Sequence, residues 1–340
     1  MPISYHARLF ASLALLLLAL AAPARADDAI TLKFATLSNA DGPLNARMLH
    51  PWAERVNAAG KGVVQLDVRD GFAIANYNNV YDRVLDDVVQ VAFTVTGSIA
   101  GKFALSNLVD LPFLFERPDD ASVAYWRLYK SGALDSEYTE IVPLYLVTLA
   151  NSGLHLDRAP SSPDDIKGYK IVASSKITGE IIEALGGVPI SLQQNEMYTA
   201  LQRHAVDGTY GAWTSFPAFK LGEVTSYHIE ARLGGAPAMV FMARKNFDAL
   251  PAAARQVLED NSGEAASRLF GEYWMNLDNE VRQQYRQMPG HTIAELTPAQ
   301  LAAWREKLQP IYAQWLKDTP GGEPVLAKYR ALLGPAAGEK

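Results

Sequence analysis

From Thr31 to Ala243 the chain alternates short apolar runs with stretches of helical spacing, and this alternation restricts the fold more than any other feature. Thr31–Leu37, Val63–Val68, Val88–Val95, Leu144–Leu149, Tyr169–Ala173 and Ala238–Ala243 read as strands. Between them, Leu44, Met48, Trp52 and Val56 share one helix face, with Pro51 as a kink or offset and Gly60 as a stop. Tyr77, Val80, Tyr81, Val84 and Leu85 share another. Further helices are expected at Thr178–Leu185 and Glu196–His204, and the chain from Ala252 onward is mostly helical. Strand–helix alternation builds a largely parallel sheet with helices on both faces, an α/β architecture.

Two sets of such units, Thr31–Ala150 and Asp164–Gly235, point to two lobes. The polar stretch Asn151–Pro163 and the small-residue stretch Leu233–Pro237 are the expected crossings between them. A chain of 340 residues also exceeds the usual size of a single core.

The first 26 residues read as a secretory leader. Arg8 supplies the charge, Leu9–Ala22 the apolar run, and Ala24-Arg25-Ala26 the small-residue cleavage site. Cleavage would start the mature protein at Asp27, in a bacterial periplasm. It would remove Arg8 and Arg25 and no acid, taking the formal charge from −6 to −8. An acidic surface without a basic block argues against nucleic acid and anionic membranes as partners. No later stretch is apolar for long enough to span a bilayer, and without cysteine no lipidated-cysteine anchor, disulfide or thiolate metal site can form.

Reactive constellations are missing. The chain has no G-x-S-x-G, no phosphate-binding glycine loop, no dinucleotide fingerprint and no H-E-x-x-H. His50, His155, His204, His228 and His291 are not spaced as metal ligands on one element. No catalytic residue, metal or cofactor is expected. A two-lobed exported α/β protein of this kind is most economically a solute-binding protein.

The segments SPDDIKGYKIVAS, EALGGVP and EMYTALQRHAVDG, between Ser162 and Gly208, sharpen that reading. They resemble the "DLKGLKIR", "ALGATPV" and "E-Y-ALQ-G-VDG" segments of the solute-binding proteins of tripartite ATP-independent periplasmic (TRAP) transporters, the DctP type. Leu111–Phe115 (LPFLF), Gly97–Phe103 and Pro51-Trp52-Ala53 are similar to other family stretches. The resemblance implies a two-lobed periplasmic binding protein fold with a ligand cleft between the lobes and a helical C-terminal region. Lobe I would comprise 27–152 with 236–285, and lobe II 153–235 with 286–335. It also implies capture of a small organic acid and delivery to one small and one large membrane subunit. The alternatives are an exported ligand-presenting partner of a sensor, or an enzyme on the same scaffold.

This chain departs from the family where the ligand is usually clamped. Val172 stands at the position of the carboxylate-binding arginine, and valine cannot replace a guanidinium fork. His155 stands at a second position that is often basic. Arg69 and Arg158 are candidates for a displaced clamp. Trp213 and Phe216 flank a strand-to-helix turn where open α/β sheets bind ligands, with Tyr210 just before it. Ser38 and Asn39 after the first strand, and Thr94 and Thr96 in and after the third, offer small polar groups to the cleft. Core, cap or turn roles compete at each of these positions. Without the arginine and with aromatic walls, Phe93 or Phe72 among them, the expected ligand is an aromatic or alicyclic monocarboxylate rather than a C4-dicarboxylate.

Overall fold

A computed structural model describes residues 29–99, 101–192 and 196–333. The leader, Ala100 of the Gly97–Phe103 run and the last two residues of 286–335 lie outside the described residues. In chain order the strands are β1 (Ile30–Ala35), β2 (Val64–Arg69), β3 (Val91–Val95), β4 (Ile141–Thr148), β5 (Gly153–Leu156) and β6 (Lys170–Ala173). They continue with β7 (Val188–Ser191), β8 (Gly208–Gly211), β9 (Tyr227–Glu230), β10 (Pro237–Ala243) and β11 (Thr292–Glu295). Two sheets result, ordered β2-β1-β3-β10-β4 and β11-β9-β5-β8-β6-β7.

Both sheets are mixed rather than largely parallel. β10 runs antiparallel to β3 and β4, and β5 runs antiparallel to β8 and β9. The reason lies in the two crossings. β4 passes into β5, and β9 into β10, through a few residues with no intervening helix, so each incoming strand enters its new sheet reversed. The supposed linker Asn151–Pro163 therefore contains a central strand. Glycine lets that strand fit: a Cβ on Gly153 would lie 2.6 Å from the Ile229 carbonyl oxygen, and one on Gly208 would lie 2.8 Å from that of His155.

Pro51 acts as an offset. A wide turn at Asn45–Leu49 leads into the His50–Ala59 helix, and Pro51 occupies its first turn, where the missing N–H is harmless. Trp52 on that helix is fully buried, edge-on to Phe34 and Tyr145 with both ring centroids 5.4 Å away. Its indole N–H donates to the Asn261 carbonyl at 2.8 Å. The Lys176–Ala184 helix begins at Ser175, whose Oγ accepts from the Thr178 amide while the Thr178 hydroxyl accepts from the Ser175 amide. The helix expected to run to His204 covers only Met197–Gln202, and His204 adopts a left-handed conformation with its ring bonded to Asp157.

The 25-residue Gly263–Gln287 helix serves both sheets. It packs on β4 and the Pro118–Lys130 helix, with Phe270 4.2 Å from Tyr145, and its far end reaches β11. Of the last two helices, Pro298–Asp318 packs on Lys176–Ala184, while Gly322–Leu333 packs on Pro118–Lys130. No helix among the described residues is long and apolar enough to cross a membrane.

Candidate functional site

The registers of the second sheet bring the ends of β6, β8, β9 and β11 and the start of β5 to one edge. A cavity of about 430 Å³ opens at that edge, where the chain crosses between the sheets. Asn151, Gly153 and His155 line it from the first crossing. Trp213 enters from the turn after β8, and Glu230 and Arg232 from the end of β9. Asp278 and Arg282 come from the long helix, and Glu116 from the turn before Pro118–Lys130.

Trp213 organises this site. It is 4% exposed, its amide donates to Asp278 Oδ1 at 2.9 Å, and its indole N–H donates to Glu230 Oε1 at 3.2 Å. Its ring packs against His155, Phe216 and His228 at 4.7–4.8 Å and stacks on Tyr285 at 5.7 Å. Phe216, fully buried, lies in the same aromatic cluster without lining the cavity. Burial pushes the Asp278 carboxyl up to about 7, against the pull of Arg282 and the Trp213 and Thr214 amides.

His155 belongs to a chain of three rings. Its Nε2 lies 3.1 Å from the Gly211 carbonyl oxygen, its Nδ1 lies 3.2 Å from His228 Nδ1, and His228 Nε2 lies 3.0 Å from His291 Nδ1. A carbonyl can only accept, so His155 carries its proton on Nε2 and must accept at Nδ1. His228 then donates from Nδ1 and accepts from His291. The Gly211 carbonyl thereby sets the tautomer of every ring out to the half-buried His291. Burial lowers His155 to about 4; His228 falls to about 2, by burial and by the two flanking rings. His155 is therefore a neutral wall with both ring nitrogens engaged, and it supplies no cation.

The other predicted positions lie elsewhere. Val172 is buried in β6 between Ile190 and Thr209 and brings no charge. Tyr210 donates its hydroxyl to the Leu233 carbonyl. Thr94 in β3 and Thr96 just after it are fully buried, and the Thr96 hydroxyl lies 3.3 Å from both Asn107 Oδ1 and the Pro237 carbonyl. Ser38 is half-buried and its carbonyl accepts from Asn45 and Gly71; Asn39 is exposed. None of these six lines the cavity. Phe93 is buried in the first sheet and Phe72 is 49% exposed. Arg69 is paired with Asp67, and Arg158 with Asp157 and Asp207.

The cavity's cations are Arg232 and Arg282, which sequence reasoning passed over. Arg232 pairs with Glu116. Arg282 donates to Asn279 Oδ1 at 2.5 Å and lies 3.7 Å from Glu230 Oε1. One signal was available: Met275, Asp278, Asn279 and Arg282 recur at helical spacing and face the cavity together. Among the described residues no cluster of His, Asp or Glu could hold a metal ion.

Residues 34–318 match the model of the bacterial extracellular solute-binding proteins, family 7, the DctP family. The chain belongs to that family. Two curated family relatives are similar over most of its length. The outer membrane transporter protein TsaT of Comamonas testosteroni is 26% identical, covering 85% of this chain and 87% of that one. The C4-dicarboxylate-binding periplasmic protein DctP of Vibrio cholerae is 25% identical over the same shares. The fold is that of solved TRAP solute-binding proteins. One from Rhodoferax ferrireducens, in complex with copurified benzoate, superposes with a TM-score of 0.84 at 24% identity, covering 89% of this chain and 97% of that one. One from Bordetella bronchiseptica, with bound (R)- and (S)-mandelate, gives 0.81 at 23% identity over 89% and 98%. The expected family and two-lobed fold are both borne out.

Proposed function

We propose that this protein captures a small aromatic or alicyclic monocarboxylate in the cavity between its lobes and delivers it unchanged to a TRAP-type complex of one small and one large membrane subunit. The lobes in this reading are 27–152 with 236–285 and 153–235 with 286–335, and the site of action is the periplasm, reached through the N-terminal leader.

The reading rests on Trp213, whose indole forms an aromatic wall in a cavity that also presents two guanidinium groups. An edge contact between a ligand ring and this indole contributes about 0.5–1.5 kcal/mol beyond the area buried. Charge favours one carboxylate over two. Glu116, Glu230, Asp278 and Glu295 face Arg232 and Arg282 around the same space, so no surplus of cations offsets a second anionic group. Solved relatives with bound benzoate and mandelate agree with a ring-bearing acid.

Titration calorimetry of ligand-stripped protein with benzoate, mandelate, cyclohexanecarboxylate and succinate tests the reading. A ring-bearing acid should bind with a Kd of about 10 μM or tighter, and succinate at least about tenfold more weakly. Tight succinate binding would overturn it, and chemical change of the recovered ligand would make the protein an enzyme.

A further inference from the structure

A second depression, of about 470 Å³, lies where the turn at Pro112–Phe113 meets the Pro298–Asp318 and Gly322–Leu333 helices. Its floor is aliphatic, built from Leu308, Leu316 and Leu326. Its charged lining consists of Arg305 and Arg330, with no carboxylate beside them.

Each arginine is held by an aromatic face. The Arg305 guanidinium lies 4.3 Å from the Phe113 ring centroid, and that of Arg330 lies 5.2 Å from the Tyr312 centroid. Such contacts hold a guanidinium while leaving N–H donors open, although Arg330 also bonds the Tyr312 side chain. Neither arginine takes part in an ion pair among the described residues, although acids outnumber bases in the chain. Phe113 holds a left-handed backbone (φ 61°), with its amide donating to the Arg232 carbonyl at 2.7 Å. The Tyr312 hydroxyl donates to the Pro112 carbonyl at 2.6 Å, tying the turn to the helix.

We propose that this groove is a second ligand site, for a small amphipathic carboxylate. The carboxylate engages Arg305 and Arg330, and the apolar body lies along the three leucines. Charge and shape both select this class: a bare anion leaves the aliphatic floor wet, and a neutral apolar molecule leaves the guanidinium donors unused. One helix of the groove packs on Lys176–Ala184 and the other on Pro118–Lys130, so an occupant touches elements held by both.

The test is a titration of the full chain with hexanoate, followed through the backbone amide NMR signals of Leu308, Tyr312 and Leu326, with the Trp213 indole signal recording the interlobe cavity. Inorganic phosphate and 1-hexanol are the comparison probes. Saturable shifts at the groove amides are expected with hexanoate, at least about fivefold weaker in the R305Q/R330Q double variant, whose unchanged Trp213 signal reports an intact fold. Groove amides that stay still, or that respond equally in the double variant, would overturn the proposal. So would an equal response to phosphate, which would mean bare-anion binding, or to hexanol, which would mean a merely greasy surface.

Discussion

Ser175 Oγ donates a hydrogen bond to Asp110 Oδ2 at 3.1 Å, across the seam between the two sheets. Asp110 ends the short turn Ser106–Asp110 on the first-sheet side, and Ser175 caps the Lys176–Ala184 helix of the second. Gly97 closes the same seam, since a Cβ there would lie 3.7 Å from that of Ser175. The contact buries Asp110 to 4% exposure, and burial pushes its carboxyl from 3.8 up to about 7, with the Ser175 bond pulling the other way.

A carboxyl raised in the folded state stabilises that state only while protonated. The contribution is complete below about pH 4 and is lost as the pH rises through 7. Asp110→Asn keeps a hydrogen-bonding group and removes the titration. Thermal melts should show a gain in stability on the order of 1–3 kcal/mol at pH 8, vanishing near pH 4. Parallel melting curves for the two proteins across that range would refute the assignment.

The histidine chain has the opposite sign. His155 and His228 are held neutral, so their contribution is present above about pH 6.5 and is lost as the pH falls through the depressed folded values. His228→Ala leaves His155 Nδ1 buried without a donor, at a cost of roughly 1–3 kcal/mol, and opens a void in the aromatic cluster. Urea denaturation at pH 7.5 should show this loss, with a smaller difference at pH 5. Equal loss at both pH values would mean the rings serve packing alone.

Trp213 has two jobs that one substitution must separate. Replacement by alanine removes a buried wall and should cost about 3–5 kcal/mol, so any loss of affinity would be confounded. Trp213→Phe keeps an aromatic ring while removing the bond to Glu230 and a smaller part of the packing than alanine would. Benzoate affinity should fall about three- to tenfold, with a smaller loss of stability than alanine causes. Unaltered calorimetric affinity would remove the indole from the ligand's surroundings.

Arg282 is the cation best placed to meet a carboxylate, because its nearest acid stands at 3.7 Å while Arg232 is closely paired. Arg282→Gln should weaken ring-acid binding about tenfold or more, with Arg232→Gln having the smaller effect. The reverse order in calorimetry would exchange their roles.

The strands legible in the sequence are those whose apolar runs outlast their neighbours. β1, β2, β3, β4, β6 and β10 were all expected within a few residues of where they lie. β5 and β8 escaped because Gly153 and Gly208 look like turn residues, although here they let backbones approach closely. β9 carries a histidine and a glutamate in four residues and shows no clean alternation. At the site, Trp213 and His155 were legible through the family segments. Arg282 was not, since a lone arginine on a polar helix stripe looks the same whether it faces water or a cavity. Val172 was legible as an uncharged residue in a family position, but not as one that stands off the cavity.

β10 closes the first sheet from late in the chain. It lies between β3 and β4, pairing Met239 with Thr94 on one side and with Leu146 on the other, yet it follows the second sheet's β5–β9 in the chain. Without it, β4 has no partner and is cut off from β2, β1 and β3. Its central pairings are long-range, and such pairings form slowly. A chain that stops before residue 237 can pair β2, β1 and β3 but cannot join β4 to them.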